Sequence, residues 1–356
     1  MSADQPVVSL SDIGVTFETE AGLNPFGATR KIHAVEHADL DIGERDVVAI
    51  VGESGSGKTT LGKTAVGLQR PTAGTVRYRG QDIWAAKKRF SNPDIPFSEI
   101  RRSLQIIHQD PGSSLNPHQP IQRTLEAPLK KWNEELGPED REARVLAMLE
   151  RVGMNPPHDY ADRYPHQLSG GEKQRVALIR ALLMNPDVIL ADEAVSALDV
   201  SLRVEMMDLM LDLRESFDTS FLFISHDLSN ARYLAEHAGG RLGVMYLGEL
   251  VELGPAEDVL SNPQHPYTKV LRWATPSIEA DETDDPPIRS IDVPDPVDPP
   301  SGCRFHTRCP NATEFCRANA PERFAVGGDH VAACYRTQPE SDYWEHRPLD
   351  GAEIDR

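Results

Sequence analysis

Between an apolar run and a helical one stands "GESGSGKT", residues 52 to 59. This order of strand, glycine-rich loop and helix leaves a chain few folds, because the G-x-x-x-x-G-K-[ST] spacing works where backbone N–H groups converge on a phosphate at a helix amino end. Gly52, Gly55 and Gly57 let the backbone wrap that phosphate, with Glu53, Ser54 and Ser56 completing the loop and Thr60 following it. Lys58 is expected to reach the β/γ oxygens and the Thr59 hydroxyl to ligate Mg²⁺. A plain glycine turn is the bland alternative, and the strand and helix on either side argue against it.

Three short apolar runs, "VVAIV" at 47 to 51, "VILA" at 188 to 191 and "FLFIS" at 221 to 225, read as buried parallel strands. In an open α/β sheet their carboxyl ends converge on one ligand site. The second run continues into Asp192, placed to hold a metal, and Glu193, placed to polarise an attacking water. The third continues into His226, which can bond a γ-phosphate oxygen and hold the water or Glu193 in line, although a histidine alone is more often structural. Gln109, at a loop start in "IIHQDP", can bind Mg²⁺ through its amide oxygen and report the γ-phosphate elsewhere.

Around these runs, residues 1 to 50 alternate as antiparallel strands do, with a loop near "GLNPFGATR". Residues 110 to 184 read mainly as helix; in the last helix Val176, Ile179 and Leu183 share a face, and Asn185-Pro186 stops it. Strand pattern returns in "GGRLGVMYLGELVELG". Residues 275 to 301, rich in Pro and Asp, read as an extended linker before a small tail that holds all four cysteines.

No stretch approaches the roughly 18 apolar residues of a membrane helix, and the amino terminus lacks a secretory pattern, so the chain is expected in the cytoplasm. A net charge of −19 without a long basic run disfavours nucleic acid as a partner. Acidic residues outnumber basic ones 56 to 37, with Arg preferred to Lys, a composition that would suit a salt-rich cytoplasm.

One nucleotide needs one such loop, yet "LSGGEKQRVAL" at 168 to 178 opens a second glycine-rich helix. Ser169 is a good cap, and Gly170 and Gly171 expose N–H groups, which together make an anion site. Lying on the helical insertion, it is better explained as serving a nucleotide bound to another subunit, two chains facing head to tail.

The ordered set "GESGSGKT", Gln109, "LSGGE", "VILADE", "SALD" (196 to 199) and His226 resembles the nucleotide-binding subunit of ATP-binding-cassette (ABC) transporters over about residues 7 to 265. The resemblance implies an α/β fold with a P-loop NTPase (RecA-like) core, an antiparallel β subdomain, a helical insertion about 110–184 and a small carboxyl-terminal extension. It implies ATP and Mg²⁺ as cofactors, the metal near Thr59, Gln109 and Asp192. Glu193 would be the general base and His226 its partner; Ser169, Gly170, Gly171 and Asp199 would face the ATP of the opposite subunit; Phe17 would stack on adenine. Ala194 stands where proline is usual.

"NPQHPYTKVLRWATPS" (262 to 277) followed by "GCRFHTRCPNATEFC" resembles the extension of oligopeptide, dipeptide and nickel importer ATPases, here 266–356 with a linker at 275–301. The activity so implied is ATP hydrolysis powering import of peptides, or of nickel or other small solutes, at the cytoplasmic face of the membrane. The partners so implied are a second ABC ATPase subunit, identical or not, two integral membrane permease subunits and, indirectly, an extracytoplasmic solute-binding protein. A soluble ABC-type ATPase acting on ribosomes or DNA is the alternative; such chains usually carry two cassettes or long coiled-coil insertions, and this one has neither. Glu193 and His226 together disfavour a sensor that does not hydrolyse.

The cysteines follow as C-x5-C-x6-C-x17-C. Zinc ribbons and ferredoxins show C-x2-C pairs, absent here, and a cytosolic setting argues against disulfides. Some members of the importer group hold a [4Fe–4S] cluster on such a quartet, which makes Cys303, Cys309, Cys316 and Cys334 candidate ligands; zinc and reduced thiols stay open.

Overall fold

The computed structural model describes residues 5–20, 29–88, 93–275, 288–290 and 292–349. In chain order the strands are β1 (Val8–Glu20), β2 (Thr29–Ile42), β3 (Val47–Val51), β4 (Ala73–Tyr78), β5 (Gln81–Asp82), β6 (Leu104–Ile107), β7 (Val188–Asp192), β8 (Ser220–Ser225), β9 (Arg241–Tyr246), β10 (Glu249–Pro255), β11 (Phe324–Gly327) and β12 (His330–Ala332). They form a four-stranded sheet, β2-β1-β4-β5, and an eight-stranded sheet, β11-β12-β10-β9-β3-β8-β7-β6.

The three apolar runs become β3, β7 and β8, every residue buried, and they are neighbours in the large sheet with β8 between the other two. The pairing is parallel, with Val51 opposite Ser225 and Asp192 opposite Ile224, so their carboxyl ends lie at one edge. Burying both faces of strands made of Val, Ile, Leu and Phe contributes about 1.5–3 kcal/mol per large side chain, which makes any other register costly. The amino-terminal strands are antiparallel as the alternation predicts, with Leu10, Ile13 and Val15 inward. β6, on the far side of β7, extends the parallel set; its short run beside the helix Phe97–Ser103 gives little strand signal in the sequence.

The helical insertion comprises Ile121–Trp132, Pro138–Arg151, Pro157–Ala161 and Gly170–Leu182, which share a core that includes Leu125, Leu149, Val176 and Ile179. Beyond Leu182 the chain turns through Asn185, which has a left-handed φ of 49°. The loop expected near "GLNPFGATR" falls mostly at 21–28, outside the described residues, as do 276–287 and 291 of the expected linker.

The tail departs from the picture of an appendage. β12 pairs with β10, Leu253 opposite Val331, so residues near the carboxyl terminus continue the sheet that carries the glycine loop. The buried Glu252 carboxylate fixes this joint: it accepts the N–H groups of Gln264 and His265, and it meets His330 Nε2 at 2.8 Å. A buried carboxylate is tolerated only when so many donors satisfy it.

Candidate active site

Residues 52–57 turn from β3 into the helix Lys58–Ala65. Gly57 precedes that helix with φ +99°, and a Cβ there would lie 2.1 Å from the Ala34 carbonyl oxygen, so no other residue fits. Lys58 is buried and folds back on its own loop, its Nζ donating to the carbonyls of Gly52 and Glu53 at 2.8 Å each. Burial pushes its ammonium below the ordinary value, an effect opposed by Glu193, Asp192 and Glu53.

Thr59 Oγ1 donates to Asp192 Oδ1 at 2.8 Å, joining the helix after β3 to the end of β7 across the intervening β8. A hydroxyl and a carboxylate in contact beside the glycine loop are the hard oxygen donors that Mg²⁺ prefers. Among the described residues no group of three His, Cys, Asp or Glu is close enough to hold a metal ion. Mg²⁺ is often bound by one or two protein oxygens, with water and substrate phosphates supplying the rest.

Glu193 has a left-handed backbone, φ +50°, unusual for a residue other than glycine and costing about 1 kcal/mol or more. Its surroundings fix it there: its N–H donates to Ile224 O at 3.0 Å, and its carbonyl accepts both the N–H and the hydroxyl of Ser196. The strained turn sets the carboxylate 3.3 Å from His226 Nδ1, the imidazole half exposed and Glu193 partly buried. A carboxylate and a histidine in this relation can accept and stabilise a proton taken from water.

Gln109 is exposed two residues beyond β6, and among the described residues no contact ties it to Thr59 or Asp192; its neighbour His108 feels the Asp192 charge, and burial pushes His108 down. Phe17, on β1 opposite Ile32, is 39% exposed, whereas the other large apolar residues of that strand, such as Leu10, Ile13 and Val15, are buried.

The second glycine-rich start is built as a helix cap. Ser169 Oγ accepts the Glu172 N–H, and Glu172 returns the bond to the Ser169 N–H at 2.7 Å. Ser169 and Gly170 are exposed, and among the described residues no hydrogen bond or ion pair joins 169–171 to 52–60. A Cβ on Gly171 would lie 3.5 Å from Leu202, so the start of this helix sits against the start of Val200–Phe217. There the exposed Asp199 caps the helix through Leu202 N–H, a bond that holds its carboxyl below the usual range.

Two residues at the loop carry no signal of their role in the sequence. Tyr267 Oη accepts the Glu53 N–H at 2.9 Å, and Arg308 pairs with the Glu53 carboxylate. Both lie more than 200 residues downstream, and only the fold of the tail brings them back.

All four cysteines are free thiols that line one cavity of about 20 Å³, with His306, Tyr335 and Tyr343 among its other walls. Burial pushes Cys309 up to about 12 and Cys334 to about 11, and raises Cys303 well above its ordinary value, with the neighbouring thiols adding to each. The donor type suits an iron–sulfur cluster. Among the described residues, which include these four, no group of three His, Cys, Asp or Glu is placed to hold a metal ion, so the geometry supports neither a zinc ion nor a cluster there.

The pattern of the ABC transporter family matches residues 35–196, and that of the oligopeptide/dipeptide transporter C-terminal region matches 251–316. The chain is 40% identical over 335 residues to the di/tripeptide transport ATP-binding protein DppF of Pseudomonas aeruginosa, covering 94% of this chain and 99% of that one. It is 37% identical over 340 residues to the oligopeptide transport ATP-binding protein AppF of Bacillus subtilis, covering 93% and 97%. Among solved structures it is similar to the dimeric post-hydrolysis state of the ATP-binding cassette MJ0796 bound to ADP and Pi, with a TM-score of 0.57 and 28% identity over 70% of this chain and 98% of that one. With the glycine loop, the paired acids and the capped second helix placed as they are, the chain belongs to the ABC transporter family as an ATP-hydrolysing subunit that carries the oligopeptide/dipeptide transporter C-terminal region.

Proposed function

We propose that the chain works as one half of a pair of ATPase subunits that power peptide import through membrane-spanning permease subunits, from the cytoplasmic face of the membrane. The observation that carries the hydrolytic part is the joined set Thr59–Asp192 and Glu193–His226 at the ends of neighbouring parallel strands. Thr59, Asp192 and Gln109 are the residues that would hold Mg²⁺, which would neutralise charge on the phosphates. Glu193 takes the proton from water, and His226 steadies it. Ser169, Gly170, Gly171 and Asp199 meet the ATP of the partner subunit; the support is the exposure of Ser169 and Gly170 on the insertion and of Asp199 at the start of Val200–Phe217, with no bond among the described residues from 169–171 to this chain's own glycine loop. Phe17 stacks on adenine.

Peptide as the cargo is supported by the relatives named for dipeptide and oligopeptide transport. Among the described residues no helix is long and apolar enough to cross a membrane. The nucleotide-binding unit is taken as residues 7–265, with the insertion at about 110–184, and the extension as 266–356 with its linker at 275–301. Cys303, Cys309, Cys316 and Cys334 are the residues that would hold a [4Fe–4S] cluster; the support is the donor chemistry of four thiols on one cavity, not their placement. Purification from native membranes tests the whole: co-elution with integral membrane proteins is expected, and co-elution with ribosomes instead would overturn it. Iron and sulfide assayed on anaerobically prepared protein test the quartet.

A further inference from the structure

We propose that Arg308, in the cysteine-rich tail, is a positioning residue of the ATP site, neutralising and orienting Glu53 in the phosphate loop. The inference rests on the reading of GESGSGKT as the loop that holds ATP.

Every polar group of Glu53 is held. Its N–H donates to Tyr267 Oη at 2.9 Å, its carbonyl accepts Lys58 Nζ at 2.8 Å and the Ser56 N–H at 3.2 Å, and its two carboxylate oxygens accept Arg308 Nη1 and Nη2 at 2.9 and 3.0 Å. A two-point guanidinium fork fixes the plane of a carboxylate as well as its charge, which an ammonium does not.

Arg308 is itself fixed: only 4% exposed, it stands over Tyr246 and Phe305, its Cζ 5.6 and 5.7 Å from the two ring centroids. Those rings form one cluster with Tyr267, so the two groups that grip Glu53 share a rigid base.

A bare carboxylate in a loop that must accept a triphosphate would oppose binding by an order of magnitude or more. Arg308 removes that opposition, and it holds the loop backbone in place through the Glu53 side chain. It is not needed merely to attach the tail. Arg304 pairs with Glu36 and Glu249, Arg323 with Asp39, and His330 with Glu252.

The test uses the full chain, measuring MgATP hydrolysis and binding of a fluorescent ATP analogue. Arg308→Gln is expected to raise the KM and Kd for nucleotide about tenfold or more while kcat changes less than about threefold, because ground-state grip is lost and the reacting groups are untouched. In Glu53→Gln/Arg308→Gln the charge to be neutralised is gone, and KM should return to within about threefold of the parent. Arg308→Lys, which keeps the charge without the fork, should fall between parent and Arg308→Gln. An unchanged KM in Arg308→Gln, or a double variant no better than the single, overturns the proposal. If Arg308→Gln does not fold, the double variant and Arg308→Lys carry the comparison, and a double variant with a KM raised tenfold overturns it equally. Lys58→Ala separates the two layers. Should it still bind ATP normally, the reading of the loop itself fails; should it lose ATP while Arg308→Gln is neutral, only the role of Arg308 fails.

Discussion

Thr59 Oγ1 and Asp192 Oδ1 lie 2.8 Å apart although 133 positions separate them in the chain. The contact joins the loop that grips phosphate to the strand that ends in acids. Asp192→Asn keeps the shape and removes the charge that would hold Mg²⁺. Hydrolysis should fall at least about a hundredfold, while nucleotide binding measured without Mg²⁺ stays near the parent value. Normal Mg²⁺-dependent phosphate release by the variant would remove Asp192 from the metal site.

Glu193→Gln should lower phosphate release by about 10²–10⁴-fold, the usual worth of a positioned base. ATP binding should survive, because Lys58 and the glycine loop are untouched. Multiple turnovers at the parent rate would mean that another group takes the proton.

Lys58→Ala and Ser169→Arg damage opposite halves of a composite site. Each variant alone should be inactive. Mixed together, they should regain part of the activity, since one site of each mixed pair combines an intact loop with an intact second helix start. A mixture as inactive as its components would contradict shared sites, and so would full activity in either variant alone.

Phe17→Ala removes a ring that is largely free of the core. Stacking of a base on an aromatic ring is worth about 1–3 kcal/mol, so the KM for ATP should rise about fivefold or more, with little change in melting temperature. Equal KM values with ATP and with a triphosphate lacking the base, in the parent protein, would show that Phe17 has no such role.

His265 is buried and caps the helix Pro266–Trp273 by accepting the Tyr267 N–H at Nδ1, a role open only to the unprotonated ring. Burial lowers its pKa to about 4, opposed by the Glu252 charge and helped by that of Lys269. Unfolded, a histidine takes up its proton near pH 6.5. Between those values the unfolded chain binds more protons, so stability rises with pH across the window and is lost as pH falls from about 6.5 toward 4. At pH 5 the loss is about 2 kcal/mol. His265→Asn, which can still cap, should weaken this acid sensitivity in denaturant unfolding at pH 7 and 5; an unchanged difference between the two pH values would show that His265 does not titrate this way.

The parallel core was legible because β3, β7 and β8 are continuous apolar runs that end in polar residues, and buried parallel strands leave that mark. The same runs placed Asp192, Glu193 and His226 at one edge. β6 was hidden, since Leu104–Ile107 is too short beside a helix to show a period. The strained turn at Glu193 was hidden too; a left-handed acidic residue looks like any other in a sequence, and Ser196 and Ile224 fix it from outside its own segment. The grip of Tyr267 and Arg308 on Glu53 depends on where β12 docks, and a three-residue strand carries almost no pattern. The linker and the cysteine quartet marked the tail as a separate piece, and the composition gave no hint that it returns to the main sheet.

The pairing of Arg308 with Glu53 spans 255 positions and so has a consequence for synthesis. The glycine loop leaves the ribosome early, but the cation that quiets its acid follows only after 255 further positions have been added. A nascent or prematurely terminated chain would carry a complete-looking nucleotide motif with a weak hold on its ligand. The hold on nucleotide would then tighten only once the segment around residue 308 has docked, which ties the grip of the loop to the folding of a distant part of the chain.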